Sequence, residues 1–282
     1  MVPRKNTAKD LWQPRRRIEV TYRRSLRQIV KKMSNLLVGL TTTTDIVKAL
    51  KKFADTPEFK KYAERSAMKM VTSLFSDAGK TCREAAKANS RGRVIYEALK
   101  NEMNGPVGVV VNEQIIRNAE LIKNMPLDMA QSITDYASKQ ALEGRRAEDI
   151  AKDLLKEFPE MSEKRANLIA RTEVAKTNTE LIKARCELTG NKFYIWKTRK
   201  DQRVRNSHDH MDDIIVFWDE PPNPEKLADE KDYGNYYHAG CFPNCRCYPS
   251  IIDIEFISWP HKVCYRGQIV TMTRKQFEEI AM

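Results

Sequence analysis

The sequence predicts an α+β protein, a mostly helical N-terminal region followed by a small α+β C-terminal domain. Three observations predict it. Apolar residues recur at three- and four-residue spacing from about Arg15 to Leu188, the stripe of amphipathic helices. At Asn191 the pattern changes to short aromatic and β-branched runs, KFYIWKT and IIVFW, which read as strands. No solenoid-length repeat interrupts either region.

The first helix is IEVTYRRSLRQIVKKMSNLLVGL, with Ile18, Tyr22, Leu26, Ile29, Val30 and Met33 on one face. Thr41–Thr44 with Asp45 form a break and a cap. Two more helices follow, the second opened by Pro57 at a first-turn position, where its missing N–H costs nothing. Met68, Met70 and Phe75 read as core fillers. NGPVG, Asn104–Gly108, reads as a hinge or a helix–helix turn. A helical pair is expected next, broken at Met125–Pro126. After Pro159 comes a long helix, with Ser162 as N-cap and Gly190 as the residue just past its end.

In the C-terminal part, DQRVRNSHDHMDD reads as a polar loop or short helix and DEPPNPEKLADEKDYGN as an irregular Pro-rich excursion. CYPSIIDIEF reads as a third strand. The tail predicts two short strands turning near Arg266–Gly267, then a helix capped by Thr273 with Gln276 as its capping-box partner. The implied division is a basic arm and helical region over 1–125, a central domain over 126–259 and a strand–turn–helix extension over 260–282.

Of 282 residues, 41% are hydrophobic and 31% charged, a globular composition. No apolar run approaches the ~18 residues that span a bilayer, and no apolar signal segment opens the chain. Six cysteines are too few for a secreted disulfide scaffold, so synthesis in a cytoplasm is expected. Residues 1–32 hold eleven Lys/Arg against Asp10 and Glu19, so nine of the twelve net positive charges sit there. Arg15, Arg16, Arg17, Arg23, Arg24 and Arg27 are the candidate contacts to double-stranded DNA phosphates, bound without sequence preference, or to an acidic protein surface.

Three cysteines crowd the segment CFPNCRC, where Pro243 imposes a turn. Tetrahedral zinc takes four N/S ligands. His208, or alternatively His210, with Cys241, Cys245 and Cys247 supplies such a set, His238 being a spare. The other reading is buried thiols and hydrogen-bonded histidines around a tight turn. A metal-dependent HNH-type endonuclease, using Asp209–His210, Asn223 and the Cys pair, is the enzymatic alternative. It requires a following helix bearing a polar ligand pair, and CRCYPSIIDIEF runs into a strand instead. No catalytic residue is therefore assigned. A helix-turn-helix regulator is disfavoured because the basic charge lies on an arm.

RANLIARTEVAKTNTE, WKTRKDQRVRNSHDHMDD and CFPNCRC resemble, in that order, the phage head morphogenesis family of minor head proteins similar to Mu protein F. Arg171, Thr172, Glu173, Asn178, Trp196, Thr198, Asp201, Arg203, Arg205, His208, Asp212, Pro243, Cys245, Arg246 and Cys247 occupy the signature positions. Asp213 stands where relatives often carry glycine, and Arg205 where some carry a first cysteine. The resemblance implies a structural, non-enzymatic protein of the phage virion, inside the head near the portal. Its implied partners are the portal, other head proteins and packaged DNA.

Overall fold

The computed structural model describes residues 12–87 and 97–281. It contains the expected helical region and a five-stranded mixed sheet confined to the C-terminal part. The helices are α1 (Arg16–Leu36), α2 (Thr43–Asp55), α3 (Pro57–Lys87), α4 (Pro106–Leu142) and α5 (Ala147–Thr189). No described helix is long and apolar enough to cross a membrane. The described residues divide into two compact units, one within 16–73 and 112–173, the other within 12–15, 74–87, 97–111 and 174–281.

The first unit is helical. Its core takes Ile18, Tyr22, Leu26, Ile29 and Met33 from α1, Ile46 and Leu50 from α2, and Phe59, Ala63 and Met70 from α3. Met68 is half exposed rather than core. Thr42 caps α2 by accepting from the Asp45 N–H at 3.1 Å. Two expected breaks are absent, because α4 runs through Pro126 and α5 through Pro159. An internal proline costs about 3 kcal/mol. On α4, however, Ile122, Met125, Met129, Ala130 and Ile133 form one buried stripe on both sides of the proline. On α5, Leu154 and Phe158 lead into Ala166 and Ile169 in the same way. Burying these side chains at 1.5–3 kcal/mol each outweighs the local penalty. Ser162 is consequently buried within α5 and is not its cap.

The arginines expected on an arm are partly helical. Arg16, Arg17, Arg23, Arg24 and Arg27 lie on α1, Arg23 beside Glu19 and Arg27 paired with Glu163. Arg15 pairs with Asp77 at 2.6 Å in the other unit's own set of residues. Arg16, Arg17 and Arg24 are exposed. Arg4, Lys5 and Lys9 lie outside the described residues.

The second unit holds the sheet: β1 (Phe193–Lys197), β2 (Ile215–Phe217), β3 (Tyr248–Ser250), β4 (His261–Tyr265) and β5 (Gln268–Met272), in the order β3-β1-β2-β4-β5. β2 and β4 are parallel and every other pair is antiparallel. Period-2 alternation sorts the side chains. Tyr194, Trp196, Val216 and Cys264 face a core shared with Ile182 and Cys186 of α5. Ile195, Ile215, Phe217 and Val263 face Phe277 of α8 (Arg274–Ala281) and Ile257. Both faces are therefore covered. Asn191 N–H to Cys186 O at 2.8 Å and Gly190 N–H to Glu187 O at 3.3 Å close α5, with Gly190 at φ +73°. Thr273 and Gln276 make the expected capping contacts at the start of α8.

Candidate metal centre

Two short helices of the sheet-bearing unit, α6 (Asn206–His210) and α7 (Pro224–Leu227), together with the turn before β3, build the cluster. Phe242–Cys245 is a turn closed by Cys245 N–H to Phe242 O at 3.0 Å. Pro243 stands at its second position and Asn244, at φ +59°, at its third, the residue chemistry of a type II turn. This turn carries Cys245 and Cys247 inward, where both are buried. On the upstream side Gly240 (φ +89°) lets the chain approach α5. A Cβ there would lie 2.8 Å from Thr179 Oγ1 and 3.0 Å from Cys247 O. Thr179 Oγ1 donates to Ala239 O at 2.7 Å, which pins the segment to α5.

His208 is buried on α6, its Nδ1 3.4 Å from Cys245 Sγ and 3.5 Å from Cys247 Sγ. Among the described residues, these three form the one group of ligand-type side chains close enough to share a metal, with ligand atoms within 4.8 Å of one another. Of the four residues expected to do so, Cys241 stays outside this group and is half-buried. His210 is exposed, and His238 is held in an aromatic box by Tyr194 OH at 3.2 Å and by the Trp218 ring. Burial pushes the His238 imidazole down to about 4, so it stays neutral at neutral pH.

A relay that sequence reasoning missed supports His208. Its Nε2 lies 3.0 Å from Tyr237 OH, and Tyr237 OH donates to Glu225 Oε1 at 2.6 Å. Glu225 comes from the Pro-rich excursion taken as irregular, and Tyr237 lies just past its end. Asn223-Pro224-Glu225, a cap followed by proline and an acid, was the available helix-start signal. Asn223 indeed caps α7, accepting from Lys226 N–H at 3.1 Å, and its amide donates to Asp232 at 2.6 Å. That binds up the asparagine on which the endonuclease alternative relied.

The Cys247 thiol hydrogen bond, assisted by His208, holds Cys245 well below the usual thiol range, and the same bond with burial raises Cys247. Cys247 N–H also points at Cys245 Sγ, at 3.3 Å. The isolated cysteines behave differently: burial pushes Cys82 and Cys264 up to about 11, as for small apolar side chains. Trp196, fully buried, covers His208 edge-on at 5.7 Å, and Phe242 does so at 6.0 Å. A cavity of about 20 Å³ adjoins the cluster, walled on its outer side by Arg199, Arg203 and Arg205.

The remaining signature residues tie the turn and loops together. Arg246 grips Asp201 through two bonds of 2.6 and 2.7 Å, which hold the Asp201 carboxyl down to about 2. Asp212 accepts from Thr198 N–H and Oγ1 at 2.8 and 3.0 Å. The Arg205 guanidinium lies over the Phe242 ring and donates to Pro243 O at 2.9 Å. Asp213 sits at φ +67°, a backbone position that favours glycine and accounts for the glycine expected there. On α5, buried Glu173 pairs with Arg117 at 2.6 Å, and Asn178 reaches Trp12 O at 3.5 Å. Arg171 and Thr172, beside them on α5, are half-buried.

Fold and site together define an α+β chain whose small mixed sheet packs one face against a buried His–Cys–Cys cluster. Residues 131–249 match the family described as "Phage Mu protein F like protein", which establishes the resemblance for this stretch. The chain is also 28% identical over 285 residues to an "Uncharacterized protein" of Haemophilus influenzae (strain ATCC 51907 / DSM 11121 / KW20 / Rd), a match covering 93% of this chain. It spans 58% of that relative's length. No solved structure matches the chain.

Proposed function

We propose that the chain is a structural minor head protein of a tailed bacteriophage. In this reading it is synthesised in the bacterial cytoplasm and carried in the head interior near the portal, where it assists assembly and DNA packaging or delivery. The observation that carries this reading is the family match over residues 131–249, the stretch that contains the cluster and its ties. A non-enzymatic role is supported by Asn223, which the endonuclease reading needs and which is instead engaged in capping α7 and in a bond to Asp232.

The proposed partners are the portal, other head proteins and packaged DNA. Exposed Arg16, Arg17 and Arg24 on α1 supply positive charge suited to phosphates without sequence preference. Deleting the gene from the phage that encodes it should sharply reduce DNA-filled heads in electron micrographs, and the wild-type gene supplied in trans should restore them. An Arg16→Gln/Arg17→Gln/Arg24→Gln variant should restore head number but leave more heads unfilled. Normal filling by that variant removes the DNA role of α1. Unchanged heads after deletion, with plasmid nicked by the purified wild-type protein but not by His210→Ala, would replace the structural reading with the endonuclease.

A further inference from the structure

The His208 contacts are not accounted for by hydrogen bonding alone. One imidazole nitrogen has a single in-plane lone pair or a single proton, yet Nδ1 lies almost equally far from two sulfurs, 3.4 and 3.5 Å. Zinc accounts for both distances. With Zn–S near 2.3 Å and Zn–N near 2.0–2.1 Å, tetrahedral geometry separates a nitrogen and a sulfur ligand by about 3.6 Å.

The tautomer agrees. Tyr237 spends its hydroxyl proton on Glu225 at 2.6 Å, so its oxygen accepts from His208 Nε2–H at 3.0 Å. Nδ1 is then unprotonated, with its lone pair towards the two thiols. An outer partner that fixes the ring in this way is the usual support of a metal-bound histidine. The Cys247 N–H on Cys245 Sγ at 3.3 Å favours a thiolate there.

We infer that His208 Nδ1, Cys245 Sγ and Cys247 Sγ bind one zinc ion whose fourth ligand is a solvent oxygen in the adjoining cavity, not Cys241. The volume of about 20 Å³ suits a single water. Two thiolates and one imidazole suit zinc by softness and geometry. The ion crosslinks α6 to the turn before β3, a fastening suited to the structural protein proposed above and resting on that reading. Its test uses the purified chain and is independent of entry into a phage particle.

The full chain, purified under reducing conditions, is analysed for metal by plasma mass spectrometry. It is then reloaded with cobalt(II), whose visible absorption reports tetrahedral sulfur ligation. The wild type is expected to hold one equivalent of zinc and to give the cobalt band. Cys245→Ser and His208→Ala should lose both. Cys241→Ser should keep the full equivalent and an unchanged band. Tyr237→Phe should keep the stoichiometry but bind about 10–100-fold more weakly, the usual effect of losing an outer-shell partner. A wild-type protein without metal, and without a cobalt band on reloading, overturns the site. Loss of metal in Cys241→Ser as complete as in Cys245→Ser overturns the solvent ligand and makes Cys241 the fourth. The wild-type and Cys241→Ser measurements decide both points even where His208→Ala does not fold.

Discussion

Arg185→Met should lower the unfolding free energy by about 3–5 kcal/mol, the cost of stripping one partner from a buried ion pair. Arg185 projects from α5 with its side chain 2% exposed, and Glu102, its partner, is 4% exposed. Two bonds join them, Nε to Oε2 at 2.6 Å and Nη2 to Oε1 at 3.1 Å. Nη2 also donates to Phe75 O at 2.9 Å, and the guanidinium lies over the Phe75 ring. Without Arg185, the cation left to Glu102 among the described residues is Arg83 at 3.6 Å, a looser contact from a more exposed side chain. The double variant Arg185→Met/Glu102→Leu should recover most of the loss, because an apolar pair of similar volume replaces a buried ion pair at little net cost. Urea denaturation of the three variants measures this. A single variant costing under about 1 kcal/mol, with the double no better, would show that the pair is not shielded from water.

Trp196→Ala should cost about 3–5 kcal/mol, the range for emptying a fully buried aromatic site. Trp196 is 0% exposed and belongs to the same core cluster as Tyr194, Tyr237, Cys245 and Cys247. It also covers one side of His208, so the variant should bind cobalt more weakly as well. Trp196→Phe keeps a ring in that position and should lose less on both counts. Denaturation curves and cobalt titration of the same preparations separate the two effects. A Trp196→Ala protein that unfolds like the wild type would contradict the packing described.

Local chemistry was legible in the sequence wherever it was local. The Thr42 and Thr273 caps, the glycine end of α5 and the strand character of β1 depend on residues within a turn or a strand, and all are present. The helix continuations through Pro126 and Pro159 were not legible. A propensity penalty at one residue was outweighed by apolar burial against other helices, which spacing does not reveal. The site divided in the same way. The Cys245 and Cys247 convergence follows from one turn, whereas Cys241 precedes that turn, next to the Gly240 kink that packs the chain against Thr179. Tyr237 meets His208 across 29 residues of sequence, and Arg246 meets Asp201 across 45. Family resemblance marked Arg246 and Asp201 as a set without revealing that they grip each other; nothing marked Tyr237 or Glu225.

The head-protein reading is tested most directly by the protein composition of purified phage particles. Particles released from the host that carries this gene, banded by density and freed of soluble protein, are digested and analysed by quantitative mass spectrometry. Peptides of this chain should be present in both proheads and DNA-filled heads, at a constant ratio to the portal protein and far below the major shell protein. Their absence from both, with the chain recovered in the soluble fraction of the lysate, would contradict the account.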